Sequence, residues 1–131
     1  MLKNSVKYLG NLICEVSDED SGFQIKTDAT GENKFVSPKS VLVMSLASCT
    51  TSMIAYFAMN HNLDVSGMEV ETNVVVDETS HKITKFIFDI TIPHALSEVE
   101  QKKLVAVAKT CPVGQMLDPK IEVEHHIKCV G

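Results

Sequence analysis

Apolar positions first recur along the chain with a period of two. Val6 to Val16 is an apolar run broken at Gly10-Asn11, a pairing that favours a turn. Asp18-Glu19-Asp20-Ser21-Gly22 marks a second turn, and Phe23-Gln24-Ile25-Lys26-Thr27 alternates as a half-buried strand does. Residues Thr30 to Val36 are expected to form a polar connection. Ser37-Pro38 then predicts a helix start, because serine can cap free amides and proline suits the first helical position. That helix should run to about Asn60 and end at His61-Asn62. Two strands are expected next. Val70, Thr72, Val74 and Val76 share one face of Met68 to Val76, and Phe86, Phe88, Ile90 and Ile92 share one face of Ile83 to Ile92. Asp77 to His81 is the expected hairpin loop between them. Ser97-Glu98-Val99-Glu100 is a capping-box start for a second helix striped by Leu104, Val107 and Ala108. Cys111-Pro112 breaks it, a short helix should restart at Pro112, and Ile121 to Cys129 should form a last strand. The order β-β-β-α-β-β-α-β is an α+β pattern.

The first helix carries apolar residues on nearly every side, so it should be central and covered. A chain of 131 residues fits one domain spanning 1–131, and one domain can hardly wrap such a helix alone. A homodimer is therefore expected.

Charge changes the picture little. The formal net charge is −5, from 17 acidic and 12 basic side chains, without a basic run, so nucleic-acid binding has no electrostatic footprint. All the basic residues are lysines. Near the N-terminus there is no apolar stretch of the ~7–15 residues that a secretory leader carries, which leads to the expectation of a cytoplasmic protein. Serines and threonines interrupt Val41 to Met59, so a core helix is expected rather than a membrane span. The four cysteines, Cys14, Cys49, Cys111 and Cys129, are too scattered for a secreted disulfide scaffold.

With Pro112 at the first helical position, Cys111 falls at the N-cap. Its sulfur could face the amides of Val113 or Gly114, where a thiolate is favoured. A small cap residue that happens to be cysteine would have the same spacing. Cys49 lies mid-helix, where a buried free cysteine is commonly inert; its small polar neighbours Ser45, Ser48 and Ser52 hint at more than apolar packing.

The stretch from Ser37-Pro38-Lys39 through Ser45-Leu46-Ala47-Ser48-Cys49-Thr50 resembles the signature helix of the OsmC/Ohr family, and Cys111-Pro112-Val113 resembles that family's second cysteine motif. The resemblance covers nearly the whole chain. It implies a swapped homodimer with active sites at the subunit interface. It also implies a catalytic pair: Cys49 attacking the O–O bond of an organic hydroperoxide, and Cys111 capturing the sulfenic acid as a disulfide that a dithiol partner reduces. No cofactor is implied, and the role would be oxidative-stress defence.

Two features depart from the family pattern. Its peroxidases carry an arginine beside the thiolate, and this chain has none; they usually carry a glutamate beside the helix-opening proline, where this chain has Lys39. On one straight helix Lys39 lies ~15 Å from Cys49, and an ammonium lacks the planar fork of a guanidinium. Two other functions fit the departures: a non-catalytic relative binding a small hydrophobic ligand, or a redox sensor using the same two cysteines. No metal site is expected, because neither CxxC nor HxxxH spacing occurs and His125-His126 should point to opposite faces of a strand.

Overall fold

A computed structural model describes residues 2–131, in two compact units that divide between Val43 and Met44. The first unit is an antiparallel meander of β1 (Asn4–Gly10), β2 (Ile13–Asp18) and β3 (Gln24–Asp28). Val6 pairs with Val16, and Val16 with Ile25, so the apolar alternation sets the register. Gly10, Asn11 and Leu12 all take positive φ at the first turn. Glycine and asparagine tolerate this conformation, which explains why the run breaks there. At the second turn the Asp18 carboxylate accepts from the Ser21 hydroxyl at 2.6 Å and the Ser21 amide at 3.2 Å.

The stretch expected to be a plain polar connection is more organised than its composition suggests. The Asp28 carboxylate accepts from the Thr30 amide, the Thr30 hydroxyl and the Lys34 amide at 2.8, 2.6 and 3.0 Å. Val36 then forms a single parallel bridge with Thr27. Asp28 is buried, and these three donors offset the cost of burying its charge.

Helix α1 (Pro38–Asn60) opens as its sequence predicts, with the Ser37 hydroxyl accepting from the Ser40 amide at 3.1 Å. It closes at Asn62, whose φ of 54° lets the chain leave while the Leu63 amide returns to the Ala58 carbonyl. By length and composition α1 could cross a bilayer, despite its hydroxyls. Contrary to the expectation from its apolar composition, the helix is not covered all round: in the single chain it buries one i, i+4 stripe, Leu46, Thr50, Ile54 and Ala58. The remaining faces are less covered. Ser45, Ser48 and Ser52 are exposed, and so are Met44, Tyr56 and Met59.

In the second unit β4 (Glu69–Val76) pairs antiparallel with β5 (Ile83–Ile92), and β6 (Glu122–Cys129) pairs parallel with β5. The parallel pairing needs a crossover, supplied by α2 (Glu98–Ala108) and the single turn α3 (Pro112–Gln115). Central β5 turns Phe86, Phe88, Ile90 and Ile92 inward, and the core of this unit also buries Leu46, Ile54, Ala58, Leu104 and Ala108. Each large apolar side chain so buried contributes about 1.5–3 kcal/mol. The expected capping box is present: the Ser97 hydroxyl accepts from the Glu100 amide at 3.1 Å, and the Ser97 amide donates to Glu100 at 2.9 Å.

Candidate active site

The junction of α2 and α3 places the first sulfur. Helix α2 loosens at Thr110, whose hydroxyl caps the Val107 carbonyl at 2.7 Å. The residue before a proline avoids helical ψ, and Cys111 accordingly adopts φ −53°, ψ 123°. Its carbonyl accepts from the Gln115 amide at 3.0 Å and opens α3, while the Gln115 side chain donates back to the Lys109 carbonyl at 3.0 Å. Gly114 lets α3 lie close to α1, since a Cβ there would touch Leu46 Cδ1 at 3.4 Å and Cys111 Cβ at 3.8 Å. Cys111 is the expected N-cap and is 2% exposed.

The second sulfur comes from α1. Cys49 is half-buried at the edge of the helix's buried stripe, and its thiol lies close enough to that of Cys111 for each to perturb the other's ionisation. The two predicted site residues are therefore brought together within one unit. Cys14 sits in β2 and Cys129 in β6; both are free thiols.

The pair is electrostatically unequal. Burial pushes the Cys111 thiol up, but the polar groups facing it, Cys49, the Gly114 amide, the Thr50 hydroxyl and the Val113 amide, outweigh it and hold Cys111 below the ordinary thiol value. No closed cap hydrogen bond forms between an amide and the sulfur, so the two amides act mainly as dipoles directed at it. Cys49 moves the other way. Burial raises it, and so do the Cys111 thiol beside it and the charge there, against a smaller opposing effect of the Val113 amide. Of the two thiols, Cys111 is therefore the one whose ionisation is favoured. The groups that lower the Cys111 value are all neutral, and Lys39 stands in the exposed first turn of α1.

Two participants escaped the sequence reading. Thr50 is 1% exposed, and a hydroxyl within the otherwise apolar row Leu46, Ile54, Ala58 is the signal that could have found it. His125 stacks at 5.5 Å from the Phe88 ring, and its Nδ1 is buried without a hydrogen-bond partner. Burial holds this imidazole below the usual histidine range, helped by Lys109 and His126. A cavity of about 110 Å³ has Cys111, Thr50, Lys109, Gln115 and His125 in its wall.

The remaining polar clusters carry no comparable chemistry. Asp64, Ser66 and His94 meet, but both the Ser66 hydroxyl (3.1 Å) and the Asp64 carboxylate (3.4 Å) approach the same ring nitrogen, Nε2. A hydrolytic triad needs them on opposite nitrogens. Among the described residues no group of three or more histidine, cysteine or acidic side chains could hold a metal ion.

A family model described as OsmC-like protein matches residues 31–126. Among curated proteins nothing matches the chain. Among solved structures, a Psychrobacter arcticus protein provisionally described as an osmotic stress induced and detoxification response protein superposes with a TM-score of 0.90 at 29% identity, covering 98% of this chain and 96% of that one. An OsmC-like protein from Mycoplasma pneumoniae gives a TM-score of 0.82 at 18% identity, covering 100% and 98%. The organic hydroperoxide resistance protein OhrB of Bacillus subtilis gives 0.71 at 16% identity, covering 98% of each chain. The last two likenesses bear on the fold. The first motif lies on α1, the second at the α2–α3 junction, and the family match spans both: the chain belongs to the OsmC-like family.

Proposed function

We propose that this protein is a thiol peroxidase that reduces organic hydroperoxides through Cys49 and Cys111 in defence against oxidative stress. The observation that carries the reading is the facing pair of thiols itself: a buried sulfur whose ionisation is favoured, with a second thiol beside it. In one cycle the dithiol and ROOH give the disulfide, ROH and water, and a dithiol reductant restores the pair by exchange. No metal or organic cofactor enters this scheme. Structurally similar proteins carry names of organic hydroperoxide resistance, which is consistent with such a substrate. The working form is a homodimer in the reducing cytoplasm, where the thiols persist until oxidised; the exposed apolar side chains of α1 are what a second copy would cover.

The test is consumption of cumene hydroperoxide by purified protein with a dithiol reductant. Cys49→Ser and Cys111→Ser should each abolish multiple turnover. Equal, slow consumption by wild type and both variants would sink the proposal.

A second reading is favoured by a separate observation. An open crevice of about 410 Å³ in the first unit is lined by Val6, Val16, Phe23, Ile25 and Val41. Together with the missing arginine it suits a non-catalytic protein that binds a small hydrophobic ligand, with the cysteine pair as a redox sensor. A hydrophobic molecule retained through native purification by a peroxide-inert protein would favour it.

A further inference from the structure

We infer that His125 is the proton carrier of the thiol pair: its Nδ1 takes a proton from a thiol and hands it, across the cavity beside Cys111, to the oxygen that departs. The inference rests on the peroxidase reading above for the identity of the oxidant, and it holds whichever sulfur reacts first. It starts from an unmet polar atom. Nδ1 of His125 is buried and has no protein partner, and among the described residues no other buried side-chain nitrogen or oxygen lacks one. Leaving such a group unsatisfied costs about 1–3 kcal/mol.

Position suits a carrier. The strand register sets His125 opposite Phe88 of central β5, and the two rings lie 5.5 Å apart. As a residue His125 is only half-buried while its Nδ1 is enclosed, so the imidazole stands between interior and surface. The cavity it lines is graded in the same direction: Cys111 and Thr50 are buried in the inner wall, and Lys109 and Gln115 are exposed at the rim. Its volume of about 110 Å³ has room for a few waters at ~30 Å³ each. Water there can bond both Nδ1 and the Thr50 hydroxyl, and so link the ring to the sulfurs.

Charge favours a ring that stays neutral until it is used. Burial opposes a proton on His125 most strongly, and Lys109 on α2 and His126 on the same strand oppose it further. From α1 and β5 the ring meets Thr50 and Phe88, which do not titrate, and from the α2–α3 junction it meets Cys111. No carboxylate lines the cavity. The role requires the tautomer with its proton on Nε2, which leaves the Nδ1 lone pair as the base.

Protons and electrons balance. One thiol proton passes to Nδ1 as the sulfur bonds the terminal oxygen of ROOH and the O–O bond breaks. The imidazolium returns that proton to the departing alkoxide, giving ROH and a sulfenic acid. His125, neutral again, takes the proton of the second thiol while the S–S bond forms. The displaced hydroxide receives that proton and becomes water. Two electrons move from sulfur to oxygen, and the histidine ends as it began.

The experiment is the pH profile of disulfide formation in full-length protein given one equivalent of cumene hydroperoxide, between about pH 5 and 9. In wild type the rate should be level across the neutral range, where neutral thiol and neutral imidazole coexist, and fall only on the acid side. His125→Asn keeps a polar group near the position of Nδ1 but cannot carry a proton. Its rate should follow the free thiolate, rising about tenfold per pH unit, about 100-fold below wild type near pH 6 and converging with it at alkaline pH. His125→Ala should recover at least ~10-fold at neutral pH when imidazole is added, which a merely structural defect would not do. The same profiles taken with dithiodipyridine as oxidant, whose attack needs the same deprotonation, keep the two readings apart. Parallel profiles of wild type and His125→Asn overturn the role of His125. A wild type inert to hydroperoxide that still shows the level region with dithiodipyridine removes the peroxidase reading and keeps the carrier.

Discussion

Thr50, midway along α1, faces Cys111 at the N-cap of α3, and its hydroxyl helps hold that thiol below the ordinary value. The contact joins the two segments that carry the family's cysteine motifs, and it makes a side chain next to Cys49 in sequence serve the other cysteine.

Replacing Thr50 by valine keeps the shape and removes the donor. The Cys111 thiol should then titrate closer to an ordinary thiol, and its alkylation by iodoacetamide at neutral pH should slow several-fold. Stability should fall by only about 1 kcal/mol, since the hydroxyl is one of several polar groups facing that sulfur. Peptide-resolved alkylation rates against pH supply the check. An unchanged Cys111 profile would mean that the hydroxyl contributes nothing to holding the anion.

The opposite shifts of the two thiols predict a non-monotonic pH dependence of stability. Cys111 has a folded value below its unfolded one, so stability rises as pH climbs from that folded value toward ~8.5, the unfolded thiol value. Cys49 has a folded value above its unfolded one; its contribution is present below ~8.5 and declines as pH rises toward the folded value. Urea midpoints measured across the alkaline range under reducing conditions should therefore pass through a maximum. Cys111→Ser should lose the rising limb and leave a weakened falling limb, since burial alone then raises Cys49. A flat profile in wild type contradicts the assigned directions.

His125 gives a separate acid-side signature. Its folded value is depressed, chiefly by burial, so the unfolded chain binds a proton more readily as pH falls below ~6.5. Stability should drop from there toward lower pH. His125→Phe keeps a ring against Phe88 and should flatten that drop, apart from the share due to carboxylates. Equal acid sensitivity in the variant would show that His125 is not the group responsible.

Much of the fold is legible along the chain because its signals are local. The alternation of Phe86, Phe88, Ile90 and Ile92, the Ser97–Glu100 box and the Ser37-Pro38 start are each fixed by neighbours within a turn or a strand, and each recurs in the structure. The site is less legible. That Cys111 caps a turn follows from the proline beside it, but which sulfur is the anion depends on Thr50, Gly114 and Cys49 converging from separate segments. The parallel pairing of β5 with β6 puts His125 opposite Phe88, and no local pattern sets that register. The carboxylate-laced loop after β3 was likewise hidden, because its order comes from one buried aspartate rather than from any period.

The uncovered side of α1 leads to the last prediction. Ser45, Ser48 and Ser52 recur three and four residues apart on an exposed face, with Met44, Tyr56 and Met59 exposed around them. Small residues at this spacing let a second helix approach closely, and the flanking large side chains then supply the buried area. A homodimer packed through α1 accounts for both. Light scattering should give twice the chain mass at micromolar concentration, and Met44→Glu combined with Tyr56→Glu should give a monomer with a Tm lower by several degrees. Because these side chains are exposed in the single chain, the double variant should keep its far-UV circular dichroism. A wild-type protein that scatters as a monomer at every concentration would leave this face to some other partner and remove the dimer from the proposed function.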